Sequence, residues 1–307
     1  MHHVFSAKVS KHIRKFGALY IMLILPLTFL ILFKYIPIYG VQIAFRDFRI
    51  TRSIENSPWV GFKYFEKFFS YYRFKDIIRN TLIINLYSLL TFPLAPLFAL
   101  LLNHMPYRRM TKLVQNISYL PHFISLVVLC SMVIQFTNAR TGLINQLLAL
   151  VGVTPVNYMA KKEYFYSIYV WSGIWQSLGY NSIIYIAALS NVSSELHEAS
   201  IIDGASIWKR IWHIDIPGIL PTICIMLVLQ CGRLFSIGYE KILLLSNPLN
   251  NDVSEVVSLY SYNVSLYAAK PQYSYGAAID FFTSFINMVI LCLVNSIVKK
   301  LNQTSLW

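Results

Sequence analysis

The chain has 307 residues and carries 26 Lys and Arg against 13 Asp and Glu, a formal net charge of +13. Hydrophobic residues make up 56% and charged residues only 13%, about half the ~25% of an ordinary soluble domain, and mean hydropathy is +0.54. That balance excludes a disordered chain, a disulfide-stapled secreted domain and an ordinary cytosolic enzyme, and it makes lipid part of the solvent.

A helix needs about 20 apolar residues to cross the hydrocarbon core. Six stretches qualify, at 17–41, 81–104, 117–138, 165–190, 219–246 and 275–298. The first follows a basic start (Lys8, Lys11, Arg14, Lys15). Its apolar run is too long for a signal-peptide core and no A-x-A cleavage site follows, so it reads as a retained helix. The segment 42–80 contains FKYFEKFFSYYRFKDIIRN, whose blocks of aromatic and basic residues suit a helix lying at the membrane interface. It shields the bundle or meets a partner outside. With the amino terminus inside, the shorter loops place eleven basic residues inside against four outside, which puts both termini in the cytoplasm. The resulting division is a cytoplasmic terminus at 1–16, a single six-helix domain at 17–298 and a cytoplasmic tail at 299–307. Within the domain lie the external segment 42–80 and a loop at 191–218.

Between the fourth and fifth spans runs SSELHEASIIDGASIWKRIWHIDIPGILPT. Ser194 is placed to cap a short helix over about 195–202, with Glu195 and Glu198 in its early turns where the helix dipole favours them. Gly204 permits the positive φ of a tight turn. A second helix follows, with Ile207, Ile211 and Ile214 on one face and Trp208 and Trp212 beside it, and Pro217 and Pro221 mark the entry into the membrane. The outcome is a helix-turn-helix knob.

Polar groups inside spans are costly and face the bundle interior or a water-filled cavity. The candidates for a solute path are Gln176, Tyr180, Asn181 and Tyr185 in the fourth span, Gln230 and Arg233 in the fifth, and Asp280, Ser284 and Asn287 in the sixth. Tyr239 is a further polar group of the fifth span, whereas Glu240 and Lys241 read as lying near the external interface. Cys130, Cys224, Cys231 and Cys292 sit in apolar runs without metal-ligand spacing and read as small buried hydrophobes. The pair His2 and His3 is too short to imply a metal site. No phosphate-binding G-x-x-x-x-G-K-[ST], no H-E-x-x-H and no G-x-S-x-G occurs, so no catalytic residue or metal ligand is assigned. No basic-aromatic module for nucleic acid stands outside the apolar segments.

Glu198-Ala199-Ser200, three residues, Gly204 and then Ile216-Pro217 resembles the EAA loop of binding-protein-dependent ABC importer permeases, whose pattern is E-A-A, three residues, G, nine residues, I, one residue, L-P. Ser200 stands for the third-position Ala, Ile214 falls on the isoleucine position and Ile216 replaces Leu. NTLIINLYSLLTFPLAPLFALLLN, VQNISYLPHFIS, WSGIWQSLGYNSIIYIAALSNVSSELHEASIIDGAS, GYEKILLLSNP and PQYSYGAAIDFF are similar to successive blocks of the polysaccharide/alginate-like, lipoprotein-linked sugar permease branch.

The resemblance implies an all-α membrane protein of the type I importer permease fold, in a bacterial cell membrane, that forms half of a translocation path for oligosaccharides. It implies a second homologous permease, two cytoplasmic ATPases that bind ATP and Mg, an extracytoplasmic sugar-binding lipoprotein, and no cofactor in this chain. It assigns ATPase coupling to Glu195, Glu198, Ala199, Ser200, Asp203, Gly204 and Pro217. Two other readings stay open from the residues alone: an ABC permease for a non-sugar solute such as a peptide, and a membrane anchor or interaction subunit that transports nothing.

Overall fold

A computed structural model describes the backbone of residues 2–302 and the side chains of 15–300. Lys8, Lys11, Arg14, His2 and His3 therefore lie outside the described side chains. Among the described residues the regular secondary structure is all helical, and the single β feature is an isolated bridge between Arg46 and Trp59.

The first long helix, α1 (Lys15–Phe45), is followed by a short α2 (Lys63–Phe69) and a second long helix, α3 (Phe74–Asn103), with a turn at 91–93. Next come α4 (Arg108–Phe123) and α5 (Leu126–Phe136), then α6 (Lys162–Leu189), α7 (Ser194–Ile202) and α8 (Ile207–Cys231). Two short helices, α9 (Tyr239–Leu245) and α10 (Val257–Tyr262), precede the final α11 (Tyr273–Asn302).

Four of these, α1, α3, α8 and α11, are long and apolar enough to cross a membrane, and the bent pair α4–α5 makes up to five. By length and composition, the expected six spans are thus not confirmed among the described residues. The fourth expected span is the 28-residue α6, about 42 Å at 1.5 Å per residue, which has the length but carries too many polar residues to meet the same standard. The third span is broken. Its helices meet at 100°: the first closes in a 3-10 turn, Leu120–Phe123, that has Pro121 in its opening turn, and Ser125 caps the second, its Oγ accepting from Val128 N–H.

The fifth expected span, 219–246, is displaced. Its helix starts at Ile207 and stops at Cys231, and a non-helical stretch separates it from α9. Asn287 on α11 stabilises that break: its Oδ1 accepts from Phe235 N–H at 2.9 Å and its Nδ2 donates to Ser236 Oγ at 2.7 Å. Irregular backbone at membrane depth survives only where the protein itself supplies such partners.

Two π turns share one cause. In α1, Ile36 N–H bonds to Ile31 C=O five residues back, immediately before Pro37; in α8, Ile216 N–H bonds to Ile211 C=O, immediately before Pro217. Proline offers no N–H to the carbonyl four residues back, and its ring crowds it, so the ladder slips by one residue upstream.

Two apolar clusters mark the ends of the bundle. At the loop end, Ala99 and Leu100 of α3 meet Tyr185 and Leu189 of α6 and Ile211 and Ile219 of α8. At the far end, Phe68 of α2 packs with Ile77, Val257, Tyr260, Tyr275 and Ile279. The aromatic face of α2 therefore points into the protein, with Phe65 against Ala278, rather than onto a lipid interface as its composition implies. Helices touch closely where a side chain is missing: a Cβ on Gly179 of α6 would lie 2.2 Å from Ser118 O of α4. The most apolar stretch of α1, in contrast, buries nothing against the rest of the chain. Cys130, Cys224 and Cys231 are buried as expected, but Cys292 is exposed on α11.

Candidate functional site

The turn at 91–93, the middle of α6 and the abrupt end of α8 leave a cavity of about 540 Å³ between them. Polar groups line it from every side: Ser88 and Thr91 from α3, Gln176, Ser177 and Asn181 from α6, and Gln230 from α8, followed by Arg233. Tyr169, Phe92 and Tyr185 contribute rings. Hydrogen-bonding groups interleaved with aromatic faces suit a hydrated, ring-shaped solute.

Lys241 completes the lining. It does not lie at an outer interface as its place in the sequence implies. Its side chain is buried, with Nζ donating to Tyr169 C=O at 2.7 Å and standing 4.5 Å from the centre of the Tyr169 ring. A glycine faces it: the Cβ position of Gly173 is 3.2 Å from that ammonium, a juxtaposition of residues too remote in sequence to be read there. Arg233 and Lys241 thus bring two cations to a cavity whose described lining holds no carboxylate.

Of the nine expected path residues, Gln176, Asn181, Tyr185, Gln230 and Arg233 line the cavity, and Tyr180, Asp280, Ser284 and Asn287 do not. Gln176 has a second duty, since its Nε2 donates to Ile124 C=O at the α4–α5 break. Tyr180 is turned away and stacks on His122 at the same break, ring centres 3.7 Å apart. Asp280 and Ser284 are exposed on α11, and Asn287 is committed to the end of α8. Spacing within a helix could not separate these faces, because the breaks reset the register of the neighbours.

The loop at 191–218 is built as a knob. Ser193, not Ser194, is the cap: its backbone is extended and its Oγ accepts from Glu195 N–H. The helix α7 ends at Asp203, after which Gly204 takes φ +71°. Gly204 N–H bonds to Ile201 C=O and Ala205 N–H to Ser200 C=O, the paired bonds of a Schellman ending. Ser206 then caps α8 through Lys209 N–H. Pro217 and Pro221 do not interrupt α8, which runs through both; the π turn absorbs the first. Glu195, Glu198, Trp208 and Trp212 are exposed, and no residue of α7 is buried. A projecting helix with an acidic, small-residue surface can enter a cleft of another protein.

Residues 91–303 match the family of binding-protein-dependent transport system inner membrane components. The chain belongs to this family. The permease is 34% identical to protein LplB of Bacillus subtilis (strain 168), with 94% of this chain and 91% of that one covered. It is equally 34% identical to the polygalacturonan/rhamnogalacturonan transport system permease protein YteP of the same organism, over 94% and 90% of the two chains. Among solved structures, it superposes on a chain of a bacterial ABC transporter involved in the import of the acidic polysaccharide alginate, with a TM-score of 0.86 and 34% identity over 96% of this permease and 99% of that chain. It superposes equally, with a TM-score of 0.86 and 33% identity over 96% and 99% of the two chains, on a chain of a bacterial alginate ABC transporter in complex with alginate pentasaccharide-bound periplasmic protein.

Proposed function

We propose that this permease imports oligosaccharides that carry carboxylate groups, and that Arg233 and Lys241 are the residues that select them. The permease is a carbohydrate-import subunit of an ABC transporter. The observation that carries the finer reading is the cavity itself, with two cations, several amide and hydroxyl groups and no acidic residue in its described lining. A uronate entering it exchanges water for charge-assisted hydrogen bonds, and a neutral sugar leaves both cations without a counter-charge. The names of the alginate importer and of YteP point to acidic glycans and support the same reading.

In this reading the chain forms half of the path, and a second, homologous permease forms the rest. An extracytoplasmic binding protein delivers the sugar, and two cytoplasmic ATPases bind ATP and Mg and hydrolyse the nucleotide. The chain sits in a bacterial cell membrane with both termini inside. The knob enters an ATPase cleft: Glu198 and Glu195 meet its donors, Ala199 and Ser200 allow close approach, and Asp203, Gly204 and Pro217 hold the shape. ATPase closure then rocks the helices around the cavity.

The test compares uptake of a short oligogalacturonate with that of its carboxyl-reduced, neutral counterpart by the reconstituted transporter. A charge-assisted hydrogen bond contributes about 2 kcal/mol, about 30-fold. Lys241→Met and Arg233→Met should each lower the preference for the charged sugar by about that factor. Equal uptake of both sugars by the unaltered transporter removes the proposal of acidic cargo and leaves carbohydrate import in place.

A further inference from the structure

One carboxylate at the loop end is used by neither the cavity nor the exposed face of the knob. Asp215, the last residue of the π turn in α8, has a fully buried side chain. Its Oδ2 is 2.6 Å from Nε2 of His104, the residue that caps the end of α3. Its Oδ1 is 3.2 Å from Nε2 of His197, in the middle of α7. The two imidazole rings lie 6.1 Å apart at 64°. A buried carboxylate is costly unless donors meet its oxygens, and the two imidazoles are its only side-chain partners among the described residues.

The two contacts are unequal. The His104 contact is a short hydrogen bond; the His197 contact has ion-pair distance without hydrogen-bond alignment, so that Oδ1 is buried without a hydrogen bond. The elements they join are also unequal. The ends of α3 and α8 are already held together by Ala99, Leu100, Ile211 and Ile219. No residue of α7 is buried, and its polar contacts to other helices, among the described residues, are all made by His197. The three groups do not converge on a metal position.

We infer that His104, Asp215 and His197 form the joint through which a displacement of the knob reaches the bundle. His104 fixes Asp215 to α3, and Asp215 engages or releases His197 as α7 moves, so that a push on α7 is delivered to the base of α8 and the end of α3 together. The three are positioning residues; none touches sugar or nucleotide. This inference rests on the reading of the loop as the ATPase contact.

The experiment uses the complete transporter, co-purified with its partner subunits and reconstituted in proteoliposomes with its binding protein and oligogalacturonate as probe. ATP hydrolysis and uptake are measured together for His197→Leu, His197→Gln and Glu198→Lys. His197→Leu should assemble in normal yield and hydrolyse ATP at the basal rate, while sugar imported per ATP falls about tenfold or more. His197→Gln, which keeps a nitrogen donor for Asp215, should recover most of that loss. The joint is overturned if His197→Leu imports like the unaltered transporter, or if uptake, ATP hydrolysis and complex yield all fall in proportion, as a purely structural defect would produce. Glu198→Lys keeps the two ideas apart. Normal import by that variant overturns the coupling-loop reading itself, whereas failure of Glu198→Lys beside normal import by His197→Leu overturns the joint alone.

Discussion

Gly179 offers the sharpest link between packing and transport. Adding one methyl group there would put a carbon 2.2 Å from Ser118 O, 2.5 Å from its carbonyl carbon and 2.7 Å from its Oγ. Ordinary van der Waals contact is about 3.5 Å, so α6 and α4 must separate by about 1 Å, and the obstacle is backbone that cannot rotate away. Overpacking of this kind costs about 1–3 kcal/mol, and separation at backbone contact places Gly179→Ala at the upper end. The same displacement moves Gln176, three residues before, and Asn181, two residues after, out of the cavity wall and loosens the Gln176 bond to Ile124. The control is Gly173→Ala, where the new carbon meets only the tip of Lys241 at 3.2 Å, a flexible chain that can yield a few tenths of an ångström. Thermal unfolding of the detergent-solubilised transporter and uptake by vesicles read the two effects. The expectation is a lowered melting temperature and a large loss of uptake for Gly179→Ala, with a small change in stability for Gly173→Ala. A Gly179→Ala transporter that melts and imports like the parent would refute the close approach of α4 and α6.

Other expectations follow from single contacts. Arg73 Nη1 lies 2.7 Å from Glu255 Oε2, both side chains mostly buried, so Arg73→Met should cost about 3 kcal/mol of stability by leaving the carboxylate unpaired. Burial pushes the Glu255 carboxyl above its ordinary value while Arg73 opposes the rise; a raised group favours the fold when protonated, so the deficit of Arg73→Met should shrink as pH falls and widen above the carboxylate range, read by melting curves across pH. The neighbouring Asp252 behaves oppositely. Its hydrogen bond and charge pairing with Lys162 lower its carboxyl, so that contribution is present at neutral pH and is lost as pH falls through the lowered value, a loss that Lys162→Met should abolish. At Gly204 a Cβ meets nothing within 4 Å, so the cost of substitution within this chain is backbone strain alone, about 1–2 kcal/mol. Gly204→Asn, which tolerates positive φ, should therefore retain more ATP-driven uptake than Gly204→Val; loss of uptake by both to the same degree would locate the requirement in the partner's cleft instead.

The elements most legible in the sequence were those set by local chemistry. The apolar runs of α1, α3 and α11 announced themselves by length, and the knob by its glycine and the spacing to Pro217, although its cap proved to be Ser193 and not Ser194. Five of the nine polar residues expected to line a path face the cavity, because polar groups on a buried helix have few other places to go. The misses share a cause in partners remote in sequence. The α4–α5 bend depends on Gln176, 52 residues beyond Ile124, and the end of α8 depends on Asn287, 52 residues beyond Phe235. Lys241 looked like an interfacial residue because the end of α8 at Cys231 was hidden in a continuous apolar run, and with it the separate helix α9 that buries Lys241, Ile242 and Leu245. Asp215 occupies the unspecified position between Ile214 and Ile216 of the loop pattern, where residue type alone gave no hint of a carboxylate held by two histidines from different helices.

The π turn before Pro217 has a geometric consequence for the knob. A π turn is an α-helix that holds one residue more than its ladder requires, and each residue advances an α-helix by about 100°. The direction in which α7 points, viewed down the axis of α8, is therefore a phase angle set by the number of residues between Gly204 and Pro217. Side chains along that stretch can change while the angle stays, but a single deletion or insertion would aim the knob at a different quarter of the space beneath the bundle. A rule of spacing, more than one of identity, therefore governs where the knob is aimed.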